Sequence, residues 1–161
     1  MTSLNSKKQQ DDGLKIIAAN RKAYHDYFII EKLETGIVLL GSELRPCRES
    51  KVTLKDSYAE EVDGQLWLHD MHIGPNPFSN RLGHEPERKR RLLAHKNEII
   101  KWGHKVRTNG MTMVPLKIYF KNGKVKVELG LAKGKAKYDK REALQKKDAK
   151  RDIERELGGR Y

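Results

Sequence analysis

Between Gly130 and Arg141 the chain reads Gly-Leu-Ala-Lys-Gly-Lys-Ala-Lys-Tyr-Asp-Lys-Arg, a run of closely spaced cations around one aromatic ring. Lys133, Lys135 and Lys137 alternate, so an extended backbone presents all three ammonium groups on one side, as a strip of phosphate clamps. Gly134 lets the backbone itself come close. Tyr138, beside Asp139, Lys140 and Arg141, and Tyr27, earlier in the chain, are aromatics near cations, and such rings stack on unpaired bases at roughly 1 to 3 kcal/mol per base. In a basic face a carboxylate such as Glu34 accepts hydrogen bonds from base amino groups or 2′-hydroxyls and repels a misplaced phosphate. Each residue also has a plainer explanation: Tyr27 as a core or cross-strand aromatic, Glu34 as a turn residue, and the charged tail as a solvated surface.

Covalent chemistry finds little footing. His69, Asp70 and His72 are the one cluster resembling a metal or general-base group, but on a strand His69 and His72 point to opposite faces. No phosphate loop, nucleophile elbow or paired-cysteine site is present. Cys47 is the only cysteine, which excludes an internal disulfide and a multi-cysteine zinc cluster, and it reads as a buried thiol in a reducing compartment. The sequence points to a protein that is not an enzyme and needs no cofactor.

Charge sets the partner class. The 161 residues carry 34 Lys+Arg against 22 Asp+Glu, a formal net charge of +12, which favours a polyanion: nucleic acid first, an anionic membrane surface second. Only 37% of residues are hydrophobic and 35% are charged, so the apolar core must be concentrated in part of the chain. No stretch approaches the roughly 18 apolar residues of a membrane-spanning helix, and Met1 to Gly13 lacks the apolar segment of a secretory signal. A soluble, cytoplasmic monomer with a disordered start over 1–13 is expected.

The elements that must position these residues follow in order. Tyr24 to Glu31 and Ile37 to Leu40 read as two strands meeting at a bend near Gly36. Ser42 can cap one helical turn limited by Pro46. Ser57–Val62 and Gln65–His69 flank Asp63-Gly64, a type I′ hairpin signal. After the Gly/Pro/Asn-rich loop 74–84, a helix is expected from about Pro86 to Trp102, with Leu92, Leu93, Ile99 and Ile100 on its apolar side and Arg88 to Arg91 solvated. Met111–Phe120 and Lys124–Leu131 form a last hairpin, with Pro115 marking an edge or a bulge. The fold class is therefore mainly β: a small antiparallel β-barrel of oligonucleotide-binding (OB) type with about six strands, one long inserted helix and short flanking helices. An α+β sandwich is the alternative. The barrel domain spans 14–132. The basic tail, 133–161, is full of helix formers, but its apolar stripe of Ala149, Ile153 and Leu157 is too narrow for a core, so it is expected to be disordered or nascent helix until a partner orders it.

Seven ordered stretches together resemble the bacterial small protein B family of SsrA-binding, or tmRNA-binding, proteins. They are Asn20-Arg21-Lys22-Ala23 with His25-Asp26-Tyr27; Glu34 to Leu39; Gly41 to Leu44; Asp56-Ser57-Tyr58; His84-Glu85-Pro86 with Arg88 to Leu93; Val114 to Phe120; and Ala132 to Lys135 with Asp139-Lys140-Arg141. The resemblance implies an OB-type barrel that binds the tRNA-like part of transfer-messenger RNA and enters stalled ribosomes with it for trans-translation. The tail would pass as a helix into the empty mRNA channel at the decoding centre, against small-subunit rRNA. Elongation factor Tu would be met only indirectly, through the charged RNA.

Carried over by position, the RNA-binding face comprises Asn20, Arg21, Lys22, His25, Tyr27, Glu34, Lys126, Lys133 and Lys135. The decoding-centre and tail set comprises Lys137, Tyr138, Asp139, Lys140, Arg141, Ile153 and Leu157. Asn20 also fits a cap or a turn. Arg45-Pro46-Cys47, Ser50 and Ala94 depart from the family's usual Lys-Ser-Leu type sequence, Gly and Leu. A structural ribosomal or general RNA-binding protein is the alternative function.

Overall fold

The structure is a computed structural model and describes residues 14–78 and 83–158, the side chains of 137–139, 142 and 143 excepted. The expected disordered start, part of the 74–84 loop and the last residues of the tail lie outside the described residues. The chain runs β1 (Lys15–Ala19), α1 (Arg21–Asp26), β2 (Tyr27–Ile37), α2 (Gly41–Arg48), β3 (Val52–Thr53), β4 (Tyr58–Val62), β5 (Gln65–His69), β6 (His72–Ile73), β7 (Arg90–Leu93), α3 (Lys96–Asn109), β8 (Thr112–Lys121), β9 (Lys124–Gly134) and α4 (Lys137–Gly158).

Six strands close a ring: β8 pairs with β4, β4 with β5, β5 with β7, β7 with β2, β2 with β9, and β9 returns to β8, every pair antiparallel. Closure removes the free edges an open sheet would expose. β1 adds to the far end of β8, and β3 pairs with β6 in a separate short ladder. Inside the ring Leu66, Leu68, Leu92, Ile118, Val127, Leu129 and Leu131 are buried, and α3 contributes Ile99 and Trp102. A second, smaller core lies outside the ring, where α1 lays Ala23 over Val114, Leu116 and Ala132, with Tyr27 and Ile29 at its margin.

Both hairpins form as read. Asp63 and Gly64 have φ of 50° and 77°, and Asn122 and Gly123 have 51° and 76°, the paired positive angles of a type I′ turn. Pro115 sits at a register break in β8, the bulge that a residue without an N–H requires.

Three readings of local structure are corrected. The stretch expected to be one helix from Pro86 to Trp102 divides into β7 and α3. In β7 burial alternates, with Arg90 and Leu92 in and Arg91 and Leu93 out, a period of two that the seven-residue spacing from Leu92 to Ile99 conceals. The helix starts only at Lys96, where Glu98 accepts the His95 N–H at 3.4 Å, and it ends at Asn109 before left-handed Gly110. Second, β2 is a single strand through Gly36, with no bend there and no strand over 38–40. A Cβ at Gly36 would stand 3.3 Å from that of Leu93, so the glycine serves the close approach of β7. Third, α2 is eight residues long and contains Pro46. The tail is helix α4, the helical half of what its composition suggested.

Candidate nucleic-acid interface

The residues singled out in the sequence fall into two groups on the barrel. The first lies where β2, β8 and β9 run side by side. Glu34 accepts hydrogen bonds from the Tyr119 hydroxyl and from Lys121 Nζ at 3.3 Å, and Lys126 is the cross-strand partner of Tyr119. The Tyr119 hydroxyl, with Lys121 behind it, holds the Glu34 carboxyl below the usual carboxylate range. Burial, and then Glu34 itself, push the Tyr119 phenol up. Glu34 is therefore ionised, aimed and still 39% exposed, a fixed acceptor in a ring of cations. Beside it a cleft is bordered by Gly36, Leu93, His95 and Lys126.

The second group surrounds α1. Asn20 Oδ1 accepts the Ala23 N–H, and its Nδ2 donates to Pro115 O at 3.0 Å and to Leu54 O at 3.4 Å. Its amide is thus used within the fold, capping α1 and tying it to the barrel, and its part in any interface is to set Arg21 and Lys22 in place. Lys22 meets Asp56 at 3.0 Å. His25 Nδ1 lies 2.8 Å from Asp26 Oδ1, a hydrogen bond that leads in holding the Asp26 carboxyl down. Tyr27 is half-buried on the outer core.

Tyr27 and Glu34 stand about 20 Å apart along β2. Lys126 and Lys133, an odd number of residues apart on β9, point to opposite faces. The expected strip of Lys133, Lys135 and Lys137 does not form, because the strand stops at Gly134 and Lys137 opens α4. Lys133 and Lys135 instead converge on Phe28: Lys133 is its cross-strand partner, and Lys135 Nζ sits 4.9 Å over its ring. Tyr24, under Lys32 Nζ at 5.7 Å, makes a similar pair. Both rings are 47% exposed. Sequence reasoning missed Tyr24, Phe28, Lys32, Tyr119 and Lys121. The period-two recurrence of Lys117, Tyr119 and Lys121 was the one available signal for the last two.

In the tail, Lys140 Nζ lies 3.6 Å from Asp26 Oδ1. Arg141, Ile153 and Leu157 are exposed. The side chains of Lys137, Tyr138 and Asp139 lie outside the described residues.

Of the Arg88–Arg91 cluster, Lys89 and Arg91 are exposed as a solvated face would be, but Arg88 and Arg90 are drawn into the fold. Arg90 is fully buried and meets Glu43 Oε2 at 3.1 Å, and Arg88 meets Glu43 Oε1 at 2.8 Å. His69 stacks on Tyr58 and His72 lies 3.8 Å from Glu87. Among the described residues no His, Cys, Asp and Glu group is arranged to hold a metal. Burial, first, pushes the Cys47 thiol up to about 11, leaving it unreactive. No helix among the described residues is long and apolar enough to cross a membrane.

A sequence model of the SmpB protein family matches residues 17–159. The chain belongs to the SmpB family. Among its relatives, the SsrA-binding protein of Carboxydothermus hydrogenoformans is 56% identical over 147 residues, covering 91% of this chain and 99% of that protein. The SsrA-binding protein of Sulfurihydrogenibium sp. is 53% identical over 146 residues, covering 91% and 96%. A solved chain from "tmRNA-SmpB: a journey to the center of the bacterial ribosome" superposes with a TM-score of 0.64 at 44% identity, covering 79% of this chain and 93% of that one. The family likeness read from seven short stretches therefore extends over almost the whole sequence.

Proposed function

We infer that this protein binds the tRNA-like part of transfer-messenger RNA and accompanies it onto stalled ribosomes for trans-translation, a reading supported by relatives named SsrA-binding proteins and by a similar solved chain described with tmRNA and the bacterial ribosome. The observation that carries this reading on the molecule itself is the Glu34 site: an ionised acceptor fixed by Tyr119 and flanked by Lys121 and Lys126 on a chain of net charge +12. The lysines hold phosphates, and the carboxylate accepts from a base amino group or a 2′-hydroxyl, which distinguishes a folded RNA from a bare polyanion.

The work is divided. The barrel, 14–132, reads the RNA, with Tyr27, Lys133 and Lys135 extending the contact around α1. The tail, 133–161, enters the mRNA channel as a helix, and Tyr138, Lys140 and Arg141 at its root face the decoding centre. Supporting this division, α4 leaves Ile153 and Leu157 uncovered on the free protein.

The test titrates full-length protein, Glu34→Gln and a chain ending at Lys137 against the tRNA-like fragment and a size-matched duplex at matched salt. The fragment is expected to be preferred, with the preference reduced by Glu34→Gln and intact in the shortened chain. Equal affinity for fragment and duplex would leave a general RNA-binding protein as the better account.

A further inference from the structure

Between α1, the start of β2, the turn before β4 and the start of β8 lies a cleft of about 270 Å³ that none of the contacts assigned above uses as a cavity. Two of its walls carry aromatic rings, Tyr27 and Tyr58, and its rim carries two carboxylates, Asp26 and Asp56, with Lys22 between them. The cleft is built rather than incidental. Asn20, only 8% exposed, joins its walls through its bonds to Ala23, Leu54 and Pro115. Asp56 is held at φ 60°, a left-handed conformation that Asp and Asn adopt more readily than other side chains.

Each carboxylate uses one oxygen on basic neighbours: Asp56 Oδ1 on Lys22, and Asp26 Oδ1 on the His25 ring and, at 3.6 Å, on Lys140. Among the described residues neither Oδ2 has a hydrogen bond.

A phosphate would be repelled from this rim. A ligand that stacks on tyrosine and presents adjacent N–H donors would be held, and among the bases guanine has that edge, with N1–H beside the N2 amino group. Adenine and cytosine present only a single amino group next to a ring acceptor. The volume lies near the lower end of small-molecule sites, roughly 300 Å³, so it suits one planar base with its ribose and phosphates outside the rim, toward Arg21. We propose that this cleft takes an unpaired guanine base, stacked on Tyr27 or Tyr58 and read by the free carboxylate oxygens of Asp26 and Asp56. The proposal rests on the RNA-binding reading above, and it adds a base-specific subsite at the α1 end of β2, about 20 Å from Glu34.

The test uses full-length protein and three single-stranded RNA pentamers, U-U-X-U-U, with X guanosine, inosine or adenosine. Binding is followed by anisotropy and by the backbone amide shifts of Ser57 and Thr112. Inosine lacks only the N2 amino group, and losing that bond to a charged acceptor is expected to weaken binding about tenfold.

Asp56→Asn keeps the left-handed backbone conformation and removes a negative charge, so it is expected to raise affinity for all three pentamers while abolishing the preference for guanosine. Asp26→Asn is the second variant and is expected to lose the same preference. A carboxylate acting only through charge would shift the three affinities together and leave their ratio unchanged, and that result overturns the proposal. So does a wild-type protein with no preference for guanosine over inosine that still selects the tRNA-like fragment over duplex, an outcome that leaves the RNA-binding reading standing. Loss of fragment selectivity with the guanosine preference intact would sink that reading and keep the cleft.

Discussion

Glu43 and Arg90 are both fully buried, and they survive inside the barrel because each completes the other. Burial by itself would raise the Glu43 carboxyl, but the guanidiniums of Arg88 and Arg90 outweigh it and hold the carboxyl below the usual range. Arg90 also donates to Met71 O at 2.7 Å and to Pro86 O at 3.1 Å, so one side chain fastens α2 to the approach to β7. Arg90→Ala leaves the buried Glu43 carboxylate with Arg88 as its one remaining cation and removes the donor to Met71 O and Pro86 O, and it is expected to destabilise the fold by about 3 kcal/mol in urea unfolding. The pH dependence follows the sign of the shift. A carboxyl with a folded pKa below its unfolded value contributes stability that is fully present above the unfolded value of about 4.3, and that is lost as pH falls through the folded value. Wild-type stability should therefore drop on acidification below about pH 4, and Glu43→Gln, measured the same way, should flatten that drop while lowering stability at neutral pH. Glu34 provides the exposed counterpart. Replacing Tyr119 with Phe removes the donor that leads in holding its carboxyl down, so the Glu34 pKa should move up toward the ordinary carboxylate value in an NMR titration of its side-chain carbon.

Elements that carry their own punctuation were legible in the sequence. Asp63-Gly64 and Asn122-Gly123 announce two hairpins, and Pro115 announces the bulge in β8, because each depends on backbone chemistry local to those residues. β7 was not legible. Four residues, Arg90 to Leu93, become a strand only because β5 and β2 stand on either side, and Arg90 lies inward only because Glu43, 47 residues away in the chain, meets its charge. The candidate site divided in the same way. Tyr27 and Glu34 were found as residue types, while Tyr119, Tyr24 and Phe28 needed the register of β2 against β9 and of β8 against β9 to join it. α4 was legible as a run of helix formers with almost nothing to bury. Ile153 and Leu157, like Leu144 earlier in the helix, are exposed, so changing both to Asp should leave the stability within about 0.5 kcal/mol of wild type in urea unfolding. The same double variant should keep its affinity for the tRNA-like fragment and lose activity in a reconstituted ribosome-rescue assay. A fall in both readouts would mean that α4 belongs to the RNA-reading surface.

At the scale of the whole molecule, charge and core both belong to the barrel. The buried apolar residues run from Ile17 to Ala132, so a chain ending at Lys137 retains the entire core and is expected to fold. Residues 138–161 hold eight Lys and Arg against six Asp and Glu, a net of +2, so of the total of +12 the first 137 residues keep +10. Long-range attraction to RNA therefore originates mostly in the barrel and in the three lysines at the root of the tail, Lys133, Lys135 and Lys137, and little of it comes from the segment beyond Lys137. Binding that neutralises Z phosphates loses affinity with a slope of about −0.9Z on a log–log salt plot for duplexes and about −0.7Z for single strands. Removing the tail should accordingly change the slope for the tRNA-like fragment by less than about one unit. Changing Lys121 and Lys126 together to Ala, on the folded barrel, should reduce it by between one and two. Isothermal binding measured between 50 and 300 mM salt separates the two. A slope that falls by several units on truncation would place the phosphate contacts in the tail, because only direct ion release, and not a net charge of +2, can produce a change of that size.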